Sequence, residues 1–210
     1  ARRMYAMRFP GEDVSNLTIQ QLRGREGVRV RRAYRLHSSR TGVPWQGRRY
    51  KPGQPDAAGD TVNRMLSAAN ASLYGICHAA IAGLGASPAL GFIHVGSAIS
   101  FVLDVADLYK AMTTIPIAFD LAAESINNES EARKRVRDVV VEQRLMENIV
   151  RDVRSLLLGV EAGRDQESGE DQESGTAELW DGEHGTVPAG RNYAPGPVPD
   201  GVDWSDLDEA

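Results

Sequence analysis

From Asp60 to Gly85 the chain reads DTVNRMLSAANASLYGICHAAIAGLG, a run without proline whose apolar residues fall on one helical face. Val62, Met65, Leu66, Ala69, Leu73, Ile76 and Ala80 recur at three-and-four spacing. Asp60 is placed to cap such a helix, and Gly83, Gly85 and Pro88 to end it. The alanines, serines and glycines along it let neighbours approach closely, so this stretch predicts a central core helix. No segment of the chain alternates convincingly between apolar and polar residues, and the body is therefore expected to be all-α.

Other helices follow from the same signals. Ala1 to Phe9 reads as a helix end stopped by Pro10 and Gly11. Thr18 and Gln21 fit a capping box opening a helix to about Ser38. A helix from Ser100 should break at Pro116 and resume from Ile117 to Ile126. Ala132 to Leu158 reads as one long amphipathic helix, with Val136, Val139, Val140, Met146, Ile149, Val150, Val153, Leu156 and Leu157 as its stripe.

The net charge of −5 averages two unlike parts. Residues 1–160 hold 22 Lys+Arg against 15 Asp+Glu, a net +7, whereas residues 161–210 hold 2 against 14, a net −12. Within the first part, Ala1 to Lys51 alone carries +10, a concentration that suits a polyanionic partner. The segment 161–210 repeats DQESG at Asp165 and Asp171 and is expected to be a disordered acidic tail, leaving 1–160 as the folded domain. The lone Cys77 excludes a disulfide framework within the chain and a zinc site of several cysteines. The sequence reading finds no membrane span and no secretory leader, and expects a cytoplasmic protein. The opening ARRMYAMRF, without an initiator methionine, is read as the start of a fragment.

Chemistry concentrates in Gly91 to Tyr109, GFIHVGSAISFVLDVADLY. His94 follows a short apolar run, and Asp104 and Asp107 share one helical face amid Phe101, Val102, Leu103, Val105, Ala106 and Leu108. A carboxylate in such surroundings needs a metal, a basic partner or access to water, since burying it bare costs several kcal/mol or so. Imidazole with carboxylates suits magnesium or manganese; the spacing equally suits a helix-dipole role. Glu26 is flanked by Arg23 and Arg29, which reads as an exposed ion pair or as a further ligand amid DNA-gripping arginines. Gly24 and Gly27 weaken that helix or mark a backbone that something approaches closely. In the loop Ser39 to Gly59, Trp45, Arg48, Arg49, Tyr50 and Lys51 could stack on bases and pair with phosphates, or Trp45 could pin the loop to the core. Neither a Walker phosphate loop nor a GxSxG elbow occurs.

Taken in order, MRFPGEDVSNLTIQQLRGREGVRVRRAYR, GRRY, GDTVNRMLSAANASLYG, GFIHVG and FVLDVADLYK resemble the CRISPR-associated integrase endonuclease of spacer acquisition, particularly that of type I, subtype E systems. The similarity runs from about Met4 to Leu157. It implies a multi-helix catalytic domain, with the family's N-terminal β domain absent from this chain. It also implies a Mg2+- or Mn2+-dependent nuclease and integrase, in which a free 3′-hydroxyl of captured protospacer DNA attacks a phosphodiester at the CRISPR leader–repeat. Glu26, His94 and Asp107 match the family's metal ligands and Asp104 a further catalytic acid. Arg23, Arg31, Arg48, Tyr50 and Tyr74 match its DNA-binding surface. The expected partners are DNA, a homodimer mate and a small ferredoxin-like companion subunit. Ser97 and Leu103 depart from the family where a lysine and a tyrosine are associated with reading the protospacer-adjacent motif. A non-catalytic DNA-binding helical module is the alternative.

Overall fold

Thr18 starts the longest basic helix as its chemistry predicts. Its hydroxyl accepts from the Gln21 backbone N–H while the Gln21 side chain accepts from the Thr18 N–H, closing a reciprocal capping box. The computed structural model describes residues 1–48 and 60–159, and the backbone of Glu178–Trp180 and Thr186–Pro188. Tyr50 and nearly all of 161–210 lie outside the described residues.

The helices in chain order are α1 (Arg2–Arg8), α2 (Ile19–Thr41), α3 (Thr61–Gly83), α4 (Ser100–Tyr109), α5 (Thr114–Ala123), α6 (Glu129–Glu142) and α7 (Leu145–Leu158). The all-α expectation for the body holds. In the C-terminal segment, β1 (Glu178–Trp180) and β2 (Thr186–Pro188) pair antiparallel, Leu179 opposite Val187. Three-residue strands are too short for alternation to reveal, and the sequence reading finds none.

Asp60 caps α3 by accepting from the Asn63 N–H at 2.8 Å, and α3 packs against α4, α5, α6 and α7. Its first half (Val62, Met65, Leu66, Ala69) forms one apolar cluster with Ile115, Phe119 and Leu121 of α5 and Val136 of α6. Its second half (Leu73, Cys77, Ile81) joins a cluster with Phe101 and Val105 of α4 and Ile149 and Val153 of α7. By length and apolarity α3 could cross a membrane, contrary to the sequence reading, with a mean hydropathy of 1.2 over 18 residues. Here those apolar residues face four other helices, which is how a core helix passes the same test.

Two boundaries differ from expectation. The break after α4 falls at residues 110–113, and Pro116 lies in the first turn of α5, where a missing N–H removes no helical bond. The expected long helix is two: Arg144 adopts the left-handed conformation (φ 49°) and separates α6 from α7. Each half then turns its own stripe inward. Leu145 is buried while Met146 and Leu157 remain partly exposed, a register that one straight helix through 132–158 would not give.

Candidate active site

α1, α2, α4 and the loop 84–99 converge on one cluster of charged side chains. The loop is tied to the first turn of α4. Phe101 donates its N–H to the Pro88 carbonyl at 2.8 Å, the Ser97 N–H donates to Ser100 Oγ at 3.1 Å, and the Phe92 ring meets Phe101 edge-on. At Gly91 a Cβ would stand 1.8 Å from the His94 carbonyl oxygen, so only glycine permits the tight turn of backbone that delivers His94.

Asp104 is wholly buried and organises that turn. One oxygen accepts from the N–H groups of Phe92 (2.7 Å) and Ile93 (2.9 Å). The other accepts from the His94 N–H (3.0 Å) and faces His94 Nδ1 at 2.7 Å. Burial works to raise the carboxyl's pKa, but the His94 side chain and the backbone N–H groups outweigh it and hold it below the ordinary value. An ionised carboxylate can only accept, so Nδ1 carries the proton and, in the neutral ring, Nε2 presents its lone pair. Of the three answers open for an acid in the apolar stretch, Asp104 uses hydrogen bonding to the backbone and a basic partner.

Asp107, one turn on, is partly exposed and points at the open side of the same space. His94 Nε2 lies 3.9 Å from Asp107 Oδ2, Lys110 Nζ is 2.6 Å from Oδ1, and the Arg8 guanidinium is 3.5 Å from Oδ2. Burial works to lower the Lys110 pKa, but the Asp107 charge and its hydrogen bond raise it overall, so the ammonium stays charged. It also lies 4.7 Å above the Tyr74 ring. Glu26 approaches from α2: Arg29 donates to both its oxygens at 2.9 and 3.0 Å, and Arg8 Nη1 stands 3.6 Å from Oε1. Side-chain exposure rises from 0% at Asp104 through 14% at Glu26 and 22% at Asp107 to 41% at His94, so the cluster opens toward His94.

Of the expected site residues, the structure brings Glu26, His94, Asp104 and Asp107 into one cluster. Asp104 lies beneath His94 and Glu26 is joined to Asp107 through Arg8. Among the described residues, no three His, Cys, Asp or Glu side chains are placed together closely enough to hold a metal. The donors nonetheless fit one in kind. His94 Nε2 and Asp107 Oδ2 are 3.9 Å apart, within the roughly 3–4 Å that two ligands at about 2.1 Å from one divalent ion span. The carboxylate behind Nδ1 is the arrangement that commonly orients a ligating histidine. Glu26 would complete the set by exchanging a contact with Arg29, whose side chain is partly exposed.

The expected DNA contacts divide. Arg23 and Arg31 are exposed on α2. Arg48 is exposed too, but its guanidinium donates to the Asn63 carbonyl and side chain and to Ser67 Oγ at 2.9 Å each, tying its loop to α3. Trp45 stacks on Tyr34 at 4.3 Å and tilts against Phe119, so it pins the loop to the core. Ser97 is exposed and Leu103 half-buried. A pocket of about 890 Å³ beside the cluster is lined by Arg8, Phe9, Gly24, Arg25, Val28 and Arg32 among others. Sequence reasoning missed Arg8 and Lys110. Lys110 was legible as a base three residues after Asp107; Arg8 shares the buried face of Met4 and Tyr5, a cation where an apolar residue is expected.

These features define a helical domain with a histidine–carboxylate cluster beside an arginine-rich helix. The family model for CRISPR associated protein Cas1 matches residues 10–155. The chain belongs to the Cas1 family. It is 45% identical to the CRISPR-associated endonuclease Cas1 of Clostridium sp. (strain SY8519), over 92% of this chain and 63% of that protein. It is 38% identical to the CRISPR-associated endonuclease Cas1 of Escherichia coli K12, over 76% and 52%. Among solved structures it resembles TtCas1 in complex with DNA, with a TM-score of 0.69 and 51% identity, covering 75% of this chain and 59% of that one. The chain thus spans about half to two thirds of the length of these relatives.

Proposed function

We propose that this chain is the helical catalytic part of a divalent-metal-dependent DNA endonuclease and integrase. The whole protein would insert captured DNA fragments as spacers into a CRISPR array by 3′-hydroxyl attack on a phosphodiester. The observation that carries the reading is the His94–Asp104 pair, with Nε2 turned toward Asp107 at the open side of a cluster that also holds Glu26. His94, Asp107 and Glu26 would hold Mg2+ or Mn2+. The metal would neutralise charge building on the attacked phosphate and lower the pKa of an attacking hydroxyl. Asp104 keeps the His94 ring in one tautomer and orientation. Lys110 keeps one Asp107 oxygen in place and leaves the other toward His94. The exposed arginines of α2, Arg23 and Arg31 included, supply the field that draws a DNA backbone to this face. DNA, a homodimer mate and a small ferredoxin-like companion subunit are the proposed partners, and the cytoplasm the proposed compartment.

The test is an integration assay on a leader–repeat substrate, with the full-length protein, its companion and Mn2+. His94→Ala and Asp107→Ala should each lower strand transfer by about 100-fold or more in folded protein. Unchanged strand transfer would sink the reading. The tie between Glu26 and Arg29 favours, as second reading, a DNA-binding helical module without catalysis. Salt-sensitive DNA binding with no Mn2+ bound by the wild-type protein would select it.

A further inference from the structure

α1 ends on a buried cation. The Arg8 side chain is 2% exposed, and Nε of its guanidinium has no hydrogen-bond partner among the described residues. A guanidinium remains charged in a protein, and burying it without full hydrogen bonding is costly. What the side chain reaches instead is the candidate site from within. Nη2 donates to the Asp104 backbone carbonyl at 3.2 Å, Nη1 lies 3.6 Å from Glu26 Oε1, and Nη2 lies 3.5 Å from Asp107 Oδ2. The guanidinium also lies 5.6 Å from the centroid of the Tyr5 ring, within the same helix.

The distances decide what kind of contact this is. Both Arg29 to Glu26 at 2.9 Å and Arg25 to Glu12 at 2.8 Å close to hydrogen-bond length. Arg8 approaches two carboxylates on two different helices and closes on neither. Its direct hydrogen bond goes to the backbone of α4, which anchors it. At 3.5 and 3.6 Å it offsets the repulsion between Glu26 and Asp107 without saturating the oxygen lone pairs. The Arg8 contact itself thus leaves Asp107 Oδ2 open, and leaves Glu26 able to ligate once it exchanges its contact with Arg29.

We propose that Arg8 is a positioning residue of the metal site. Anchored on the Asp104 carbonyl, its buried guanidinium holds Glu26 of α2 and Asp107 of α4 around one common centre and so sets the separation of two ligands. The proposal rests on the metal-site reading above. It makes α1 part of the site through a side chain that acts on the ligands. A lysine at this position keeps the charge but lacks the planar fork that faces two acids and a carbonyl together.

The experiment is a Mn2+ titration of the full-length protein followed by electron paramagnetic resonance, with thermal unfolding measured in metal-free buffer. The variants are Arg8→Gln, Arg8→Lys, Glu26→Gln, the Arg8→Gln/Glu26→Gln double variant, and Met4→Ala as a packing control in the same helix. Arg8→Gln should weaken Mn2+ binding by about tenfold or more, with Arg8→Lys in between. The double variant should bind no more weakly than Glu26→Gln alone, because Arg8 acts by setting the separation of Glu26 from Asp107. Met4→Ala should lower the melting temperature and leave Mn2+ affinity unchanged. If Arg8→Gln does not fold, an intermediate affinity in Arg8→Lys supports the proposal and wild-type affinity overturns it. Losses that add in the double variant, or that follow the melting temperature in Met4→Ala as well, overturn it too. A wild-type protein that binds no Mn2+ overturns the metal-site reading and this proposal with it; wild-type binding that Arg8→Gln leaves intact overturns this proposal alone.

Discussion

At Asp104 a single side chain does two jobs with one charge. It terminates three backbone N–H groups of the 92–94 turn and holds His94 Nδ1 with a fully buried carboxylate. Replacing it with asparagine would set an amide against a group of donors, and Asp104→Asn should cost about 2–4 kcal/mol in urea unfolding. The pH dependence has a definite sign. The folded pKa lies below the ordinary 3.8, so the stability Asp104 contributes is fully present above that value. It is lost as the pH falls through the folded pKa, and Asp104→Asn should remove this part of the acid sensitivity. The family resemblance implies that Asp107 is a metal ligand and Asp104 a supporting acid; in the structure Asp104 is buried and Asp107 partly exposed. Which oxygen meets which donor depends on the 92–94 turn, and no spacing along the chain encodes that.

Among the elements, α2 was the most legible at its start and the least in its purpose. Its cap is written in Thr18 and Gln21, and its run of arginines marks an electropositive face. Gly24 and Gly27 looked like defects, yet the helix passes through both unbroken, and no atom lies within 4 Å of a Cβ built at Gly24. Gly24→Ala should therefore stabilise the domain by about 1 kcal/mol, read as a higher melting temperature. Gly24 also lines the pocket beside Arg8, so a loss of DNA affinity alongside the gain in stability would show that the glycine serves close approach. Unchanged DNA affinity would leave it a plain helix weakness. The split of α6 from α7 was not legible, because both stripes share one helical period and only the left-handed Arg144 turns them to different neighbours.

For the whole molecule, α3 is the element on which both main apolar clusters are built, and Cys77 sits inside it fully buried. Burial pushes the thiol up to about 12, so neither ionisation nor access favours its reaction. Alkylation of native protein at pH 8 should run at least about a thousandfold slower than in urea-unfolded chain, since it requires opening of the bundle. A native rate near the unfolded one would mean that the second half of α3 opens locally. The same packing explains why an apolar helix of membrane-span length belongs to this core: its neighbours supply the apolar surroundings that lipid would otherwise provide.

The sequence by itself determined the helical class, the caps at Thr18 and Asp60, the central place of α3 and the residue types of the candidate site. These are local properties, set by periodicity and by side chains that reach only a turn or two. The tertiary structure decided that Glu26, 68 positions before His94 in the chain, is joined to Asp107 through Arg8. It decided that Trp45 packs on Tyr34 and the core, and that a cation from α1 stands between two acids of α2 and α4. Arg8 was one arginine among many in the sequence. Its role came from burial, which strips away the water that would otherwise screen its charge, and burial is a property of the assembled helices alone.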